Sequence, residues 1–149
     1  MNSSVVFCAN ILATWYLVGL IWTIQVVHYN LFDRVGQKEF KQYEADHNRL
    51  ITPIVGPPML IEIATAGLLL TMAPPGFPRW AAVAGGAMVI MIWISTAFIQ
   101  IPCHTKLLQG FDQAAYQKLV LSNWIRTILW TARGLMMGYF LLQMVRRIG

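Results

Sequence analysis

The segment Phe40–Glu62, FKQYEADHNRLITPIVGPPMLIE, begins with the charge density of a helix in water. It ends inside Met59–Ala73, MLIEIATAGLLLTMA, a run too apolar for water. Phe40, Tyr43, His47 and Leu50 recur at spacings of three and four, which predicts one helical face. A double proline, Pro57-Pro58, follows beside Gly56. Prolines remove backbone donors and clash with the preceding turn, so a helix leading into a span and kinking here is expected. Glu62 then lies within the span. An ionisable residue at that depth is costly, faces the bundle interior and marks a functional site by default.

The rest of the chain reads the same way. Of its 149 residues 57% are hydrophobic and only 11% charged, where a globular domain carries about a quarter charged residues. Four apolar runs, Val5–Val27, Ile51–Ala73, Trp80–Ile101 and Leu119–Val145, occupy most of the length. Each is near or above the ~20 residues that cross a bilayer as a helix. The expected fold is all-α: one polytopic four-transmembrane-helix bundle over residues 1–149, with a kinked second helix and an amphipathic segment before it. The lipid bilayer is its first partner.

The net charge of +5 does not point to nucleic acid. Arg126 and Arg133 lie inside the fourth run, and the other basic residues flank spans, where they act as topology signals. Two cysteines, Cys8 and Cys103, make no disulfide framework. The opening MNSSVVFCAN lacks a basic n-region and a small-residue cleavage site, so it does not read as a signal peptide. The connections Asp33–Arg49 and Thr105–Lys118 share one side and carry six Lys or Arg, against three (Arg79, Arg146 and Arg147) on the other. In a bacterial inner membrane this balance places both connections in the cytoplasm and the termini outside, although the Arg146-Arg147 pair opposes it.

Local signals complete the outline. Ala73–Trp80, APPGFPRW, is a tight turn with Trp80 as an interfacial anchor. Ala84-Gly85-Gly86-Ala87 in the third helix, and Gly134 and Gly138 in the fourth, permit close helix packing. Asp112 is the expected N-cap of the fourth helix. Asn123, Arg126, Trp130 and Arg133 then follow at steps of three, four and three, on one face.

Helix rise turns these positions into depths. From Val5 to His28 is roughly 35 Å and from Trp80 to His104 roughly 36 Å, so both histidines sit at the far rim. His47 is near the same level. Counted from the same side, Glu62 at about 18 Å and Arg133 at about 20 Å share a depth, with Arg126 at about 30 Å between them and the histidines. Separate helices thus bring their few polar residues to matching heights, which predicts one polar pocket. Glu62, Arg126 and Arg133 are the expected catalytic groups, and Tyr43, Gln100, Asn123 and Trp130 the expected substrate contacts. His28, His47 and His104 are a candidate site for iron, copper, zinc or haem, since imidazole is the commonest metal ligand.

Each group also has a plainer reading. Glu62 and an arginine can simply neutralise each other, and whether the partner is Arg126 or Arg133 is open at this point. Arg126 has the option of snorkelling to the interface. A single histidine at a rim is ordinarily an interfacial residue, and the eight methionines are packing residues.

The segment PCHTKLLQG at the end of the third span, with NWIRTILWTAR in the fourth, resembles small four-span bacterial membrane proteins. More distantly it is similar to the anthrone-oxygenase-like family. There a P-x-N/H-x-x-L exit from the third helix precedes a W…R fourth helix, matched here by Pro102, His104 and Leu107, then Trp124 or Trp130 with Arg126 or Arg133. His104 stands where that family often has Asn. The resemblance covers the second half of the chain and implies oxidation of a small aromatic or quinol-like substrate within the membrane, with no well-defined cofactor.

Three function classes follow. The first is a membrane oxidoreductase acting on a lipophilic aromatic or quinone-like molecule. The second is a non-catalytic accessory subunit of a larger membrane complex, or a homo-oligomer, in which the polar cluster fixes helix register. A transporter or channel ranks third, because four helices leave a monomer little room for a path and no inverted repeat is visible.

Overall fold

The computed structural model describes residues 2–147. Four helical rods make up the chain, spanning Ser3–Arg34, Phe40–Leu69, Arg79–Leu107 and Gln113–Arg146, and all are long and apolar enough to cross a membrane. The first consists of α1 (Ser3–Thr23), a π-helical turn (Ile24–His28) and a 3-10 turn (Tyr29–Arg34). The second is α2 (Phe40–Leu69). The third is α3 (Arg79–Ser95), a second π-helical turn (Thr96–Gln100) and α4 (Ile101–Leu107), and the fourth is α5 (Gln113–Arg146). The four-span architecture expected from composition is therefore present, among the described residues without strands.

Short connections force the rods into an up-down-up-down bundle. α1 packs on α2 and α5, and α3 packs on the same two, so α1 and α3 stand at opposite corners. Three apolar layers fill the interior. Near the termini lie Phe7, Leu69, Phe77 and Met137. Leu17, Met59, Ile92 and Trp130 form the middle layer. Phe32, Phe40, Leu107 and Leu119 form the layer beneath the two polar connections. The outer surface carries Leu12, Leu60, Phe98, Leu121 and Leu142, all exposed, as a lipid-facing wall requires.

Helix ends follow local chemistry. Asn2 caps α1 through Ser4 N–H, and Asp112 caps α5 by accepting from Ala115 N–H at 2.7 Å, as its position predicts. The Lys106 ammonium and that backbone donor hold the Asp112 carboxyl below the usual carboxylate range. Gly76, at φ +90, turns the chain between the second and third rods, where a Cβ would lie 3.1 Å from Met144 Cγ. Trp80 is exposed at that end, consistent with an interfacial anchor.

α2 continues as one helix through Pro53, Pro57 and Pro58. Its amphipathic start, with Phe40, Tyr43 and His47, is continuous with the apolar part of the same helix. The buried residues there are Phe40, Glu44 and His47; Leu50, expected on the same face, is turned outward at 56% exposure.

Both π-helical turns have identifiable local partners. Asn30 Nδ2 bonds the carbonyls of Gln25 and Val26 at 3.1 and 3.0 Å, taking up acceptors that the widened turn frees. In the third rod the π-helical turn ends two residues before Pro102, which has no N–H to give Phe98 and would clash with that carbonyl. Single π turns of this kind are frequent at functional sites.

Small residues set the helix spacing. A Cβ on Gly134 would sit 3.2 Å from Val18 Cγ2 and 3.6 Å from the Trp15 ring, so α1 lies directly on α5 there. Gly134→Leu is expected to overpack this seam and lower stability by about 1–3 kcal/mol, read from unfolding in mixed micelles. A variant as stable as the parent would mean that the seam is not close-packed.

Candidate functional site

Two polar networks interrupt the apolar layers, and they differ in kind. The deeper one centres on Glu62. Arg133 Nη1 donates to Glu62 Oε1 at 2.9 Å, Thr14 Oγ1 donates to the same oxygen at 2.9 Å, and Trp130 Nε1 donates to Oε2 at 2.9 Å. The rest of the guanidinium is also engaged: Nε by the Gly85 carbonyl at 3.1 Å, Nη2 by Asn10 Oδ1 at 2.8 Å, and Nη1 by the Thr14 hydroxyl. Asn10 closes the circuit with the Glu62 carbonyl and Thr65. Glu62 is wholly buried and Arg133 nearly so.

This is a closed, fully partnered ion pair across the bundle diagonal. It answers which arginine Glu62 takes: Arg133, not Arg126. Trp130, expected to lie against substrate, is instead a hydrogen-bond donor to Glu62. Every acceptor on Glu62 is occupied by a protein donor, which is the arrangement of a register-fixing pair.

The second network lies nearer the polar connections and is open. Arg126 donates through Nε and Nη2 to Asn123 Oδ1 at 2.9 and 2.5 Å, and through Nη1 to Thr96 Oγ1 at 3.4 Å. Asn123 in turn donates to Gln25 Oε1 at 2.8 Å. Arg126 is 7% exposed, so it does not snorkel. Among the described residues no carboxylate pairs with it. A buried guanidinium held only by neutral oxygens is an uncompensated positive charge.

Above it the rim histidines meet, as their depths predict. His28 Nε2 and His47 Nδ1 are 2.8 Å apart, and the His47 and His104 rings stack with centroids at 5.4 Å. His104 Nδ1 lies 2.6 Å from Glu44 Oε1, and its Nε2 lies 3.1 Å from the Tyr29 hydroxyl. In the tautomer with a proton on Nδ1, His104 donates to Glu44 and accepts from Tyr29. Glu44 Oε1 also accepts from Asn48 at 2.9 Å, while its Oε2 is buried without a partner.

The nitrogens of His28 and His47 that face one another are engaged by each other, and both of His104's by protein oxygens. Among the described residues no group of three His, Cys, Asp or Glu side chains is placed to hold a metal ion. The expectation of a metal or haem at His28, His47 and His104 therefore finds the residues together but not a ligand geometry, and no chemical step is derived through such a group.

Between α2, the third rod and the base of this rim lies a cavity of about 380 Å³. Its polar wall is Tyr29, His47, Asn48, Thr52, Thr96, Gln100, His104 and Arg126; its apolar wall includes Ile51, Val55, Met59 and Trp93. Leu60 and Ile101 also line it and face outward, at 59% and 56% exposure, so it opens sideways towards lipid. Trp93 carries a buried indole N–H without a partner. The two π-helical turns supply Ile24, Thr96 and Gln100 to this wall.

The expected site residues thus divide. Arg126, Gln100, His47 and His104 line the cavity, and Asn123 orients Arg126. His28 and Tyr43 lie on a second cavity, and Glu62, Arg133 and Trp130 belong to the closed pair. Glu44, Tyr29, Thr96 and Trp93 were not foreseen. Glu44 was legible: it precedes His47 by three residues, the spacing that puts a carboxylate and an imidazole on one helix face. No family model matches the chain, and neither a curated protein nor a solved structure is similar to it. The likeness to the anthrone-oxygenase-like family consequently rests on the Pro102, His104 and Leu107 pattern and its tryptophan–arginine partner alone.

Proposed function

We propose that this membrane protein binds a small lipophilic aromatic molecule of the phenol or quinone class from the bilayer, and exchanges a proton with its oxygen as part of an oxidoreductase reaction. The observation that carries this reading is Arg126, a buried cation with no carboxylate partner among the described residues, on the wall of a cavity that opens to lipid. The ligand ring would lie among Ile51, Val55, Met59 and Trp93. Its oxygen would meet Arg126, because a fixed cation in a low-dielectric site stabilises a phenolate or a reduced quinone oxygen. The Glu44–His104–Tyr29 chain, joined at 2.6 and 3.1 Å, would accept or return the proton. The electrons would pass to or from a redox partner in the same membrane. With the polar connections on the cytoplasmic side, as their basic residues favour, the protons would come from there.

An accessory subunit accounts for the Glu62–Arg133 pair equally well, but not for a lateral cavity beside an unpaired arginine. The test fills that cavity. A Cβ on Gly56, which lines it, meets no atom within 4 Å. In Gly56→Leu the new Cβ therefore starts in open space, the rest of the side chain occupies cavity volume, and helix propensity improves by up to about 1 kcal/mol. The variant is expected to be as stable as the parent and to bind decylubiquinone and 4-nitrophenol at least tenfold more weakly, measured by tryptophan quenching in nanodiscs. Parent protein that binds neither probe, or a variant that binds both equally well, would falsify the reading.

A further inference from the structure

A second cavity, of about 430 Å³, lies between the first rod and the start of α2. Its apolar wall is Leu20 and Ile24 from the first rod and Leu50, Ile51 and Ile54 from α2. Leu50 and Ile54 are turned outward at 56% and 44% exposure, so this cavity also opens sideways to lipid. Both cavities, at about 430 and 380 Å³, fall within the roughly 300–1,000 Å³ of small-molecule sites. The bundle thus offers two side entrances, one on each flank of α2.

Ile24, His47 and Ile51 line both cavities, so one layer of side chains separates them. Electrons cross a layer that thin by tunnelling, with no carrier between donor and acceptor. The two walls differ in charge. The lateral wall carries the Arg126 guanidinium, which favours an oxygen that gains negative charge. The second wall carries Tyr43, Asp46, His28 and His47 and, among the described residues, no lysine or arginine. Asp46 Oδ2 accepts from Gln42 and Oδ1 from Arg49, both at 3.0 Å. An ionised carboxylate has about four lone-pair sites, so acceptor capacity remains. Such a wall disfavours an anion and suits a neutral molecule that donates hydroxyl hydrogens.

We infer that the second cavity is the site of the redox partner, a hydroquinone-class lipid that passes electrons across Ile24, His47 and Ile51 to a quinone in the lateral cavity. The donor loses two electrons and the protons of its two hydroxyl groups, and becomes a quinone. The acceptor gains two electrons and two protons on its oxygens, and becomes a hydroquinone. Its protons come through the Glu44–His104–Tyr29 chain. The donor's protons leave past Asp46, whose side chain is 43% exposed, so none is consumed overall. Charge sets the direction: the reduced oxygen is stabilised where Arg126 is, and the neutral donor sits where no cation is. This inference rests on the ligand reading above and adds to it a second site, a partner and a direction.

The test fills each cavity in turn. Thr23 and Leu50 line only the second cavity and are exposed, so Thr23→Phe with Leu50→Phe narrows it from both walls. Full-length protein in quinone-free nanodiscs is equilibrated with decylubiquinol or decylubiquinone without oxygen, against empty nanodiscs. The double variant should bind decylubiquinol at least tenfold more weakly and decylubiquinone within twofold of the parent. Gly56→Leu, in the lateral cavity, should do the reverse. Electron transfer from decylubiquinol to menadione should be at least tenfold slower in both. A double variant that binds decylubiquinol and transfers electrons as the parent does would mean that bilayer lipid alone occupies the second cavity, and would overturn the inference. Decylubiquinol binding that is lost only in Gly56→Leu would overturn it too, yet leave the ligand reading standing. A parent that binds neither molecule would overturn both. If the double variant does not fold, Leu50→Phe alone decides by the same measurements.

Discussion

Replacing Arg133 by methionine is expected to lower the unfolding free energy in mixed micelles by about 3–5 kcal/mol, the cost of breaking a buried ion pair from one side. Arg133 ties three elements to α5: α2 through Glu62, α1 through Asn10 and Thr14, and α3 through the Gly85 carbonyl. Without it, Glu62 keeps only the Thr14 and Trp130 donors and must be buried as an uncompensated anion or take up a proton. The double variant Glu62→Gln with Arg133→Met should be more stable than the Arg133→Met single variant. Each change then removes the charge the other leaves stranded, so the two effects are strongly non-additive. The control is Arg34→Met, since the Arg34 side chain is 80% exposed. If Arg133→Met costs no more than that control, the deep network does not hold the bundle together.

Arg126 should behave in the opposite way although it lies only seven residues earlier on the same helix face. Arg126→Met removes a buried charge that has no counter-charge among the described residues, which favours the folded state, and leaves Asn123 Oδ1 without its donor, which disfavours it. These effects oppose, so the stability change should be well below that of Arg133→Met. Binding should suffer instead. Loss of a charge-assisted hydrogen bond costs about 1.5–3 kcal/mol, or roughly ten- to a hundredfold in affinity for decylubiquinone or 4-nitrophenol. Arg126→Lys should recover only part, because lysine keeps the charge without the planar fork that meets Asn123. Undiminished binding in Arg126→Met would remove the arginine from the site. A large loss of stability there would class it with Arg133 as structural.

The contrast between these arginines marks where sequence reading stops. Spacing places Asn123, Arg126, Trp130 and Arg133 on one face, and all four are buried there. Helix rise likewise brings Glu62 level with Arg133 and the three histidines to one rim, because rise per residue is a local property that membrane thickness holds fixed. Composition determines the four spans for an equally simple reason: a bilayer accepts only backbones that satisfy their own hydrogen bonds.

Which polar residue meets which depends on rotation about each helix axis and on rotamers, and those are decided by packing. Gly85 and Gly134 admit α3 and α1 close to α5, which brings the Gly85 carbonyl and Thr14 to Arg133 and closes that network. Among the described residues no comparable carboxylate reaches Arg126. Two π-helical turns shift the register of the first and third rods by a residue at the level of the cavity, and apolar periodicity carries no trace of that shift. Sequence alone therefore determined that the chain spans a bilayer four times with Glu62, Arg126 and Arg133 turned inward. Only the tertiary structure decided that Glu62 is sealed and Arg126 is not, because a partner for a buried charge is a matter of three helices meeting at one point.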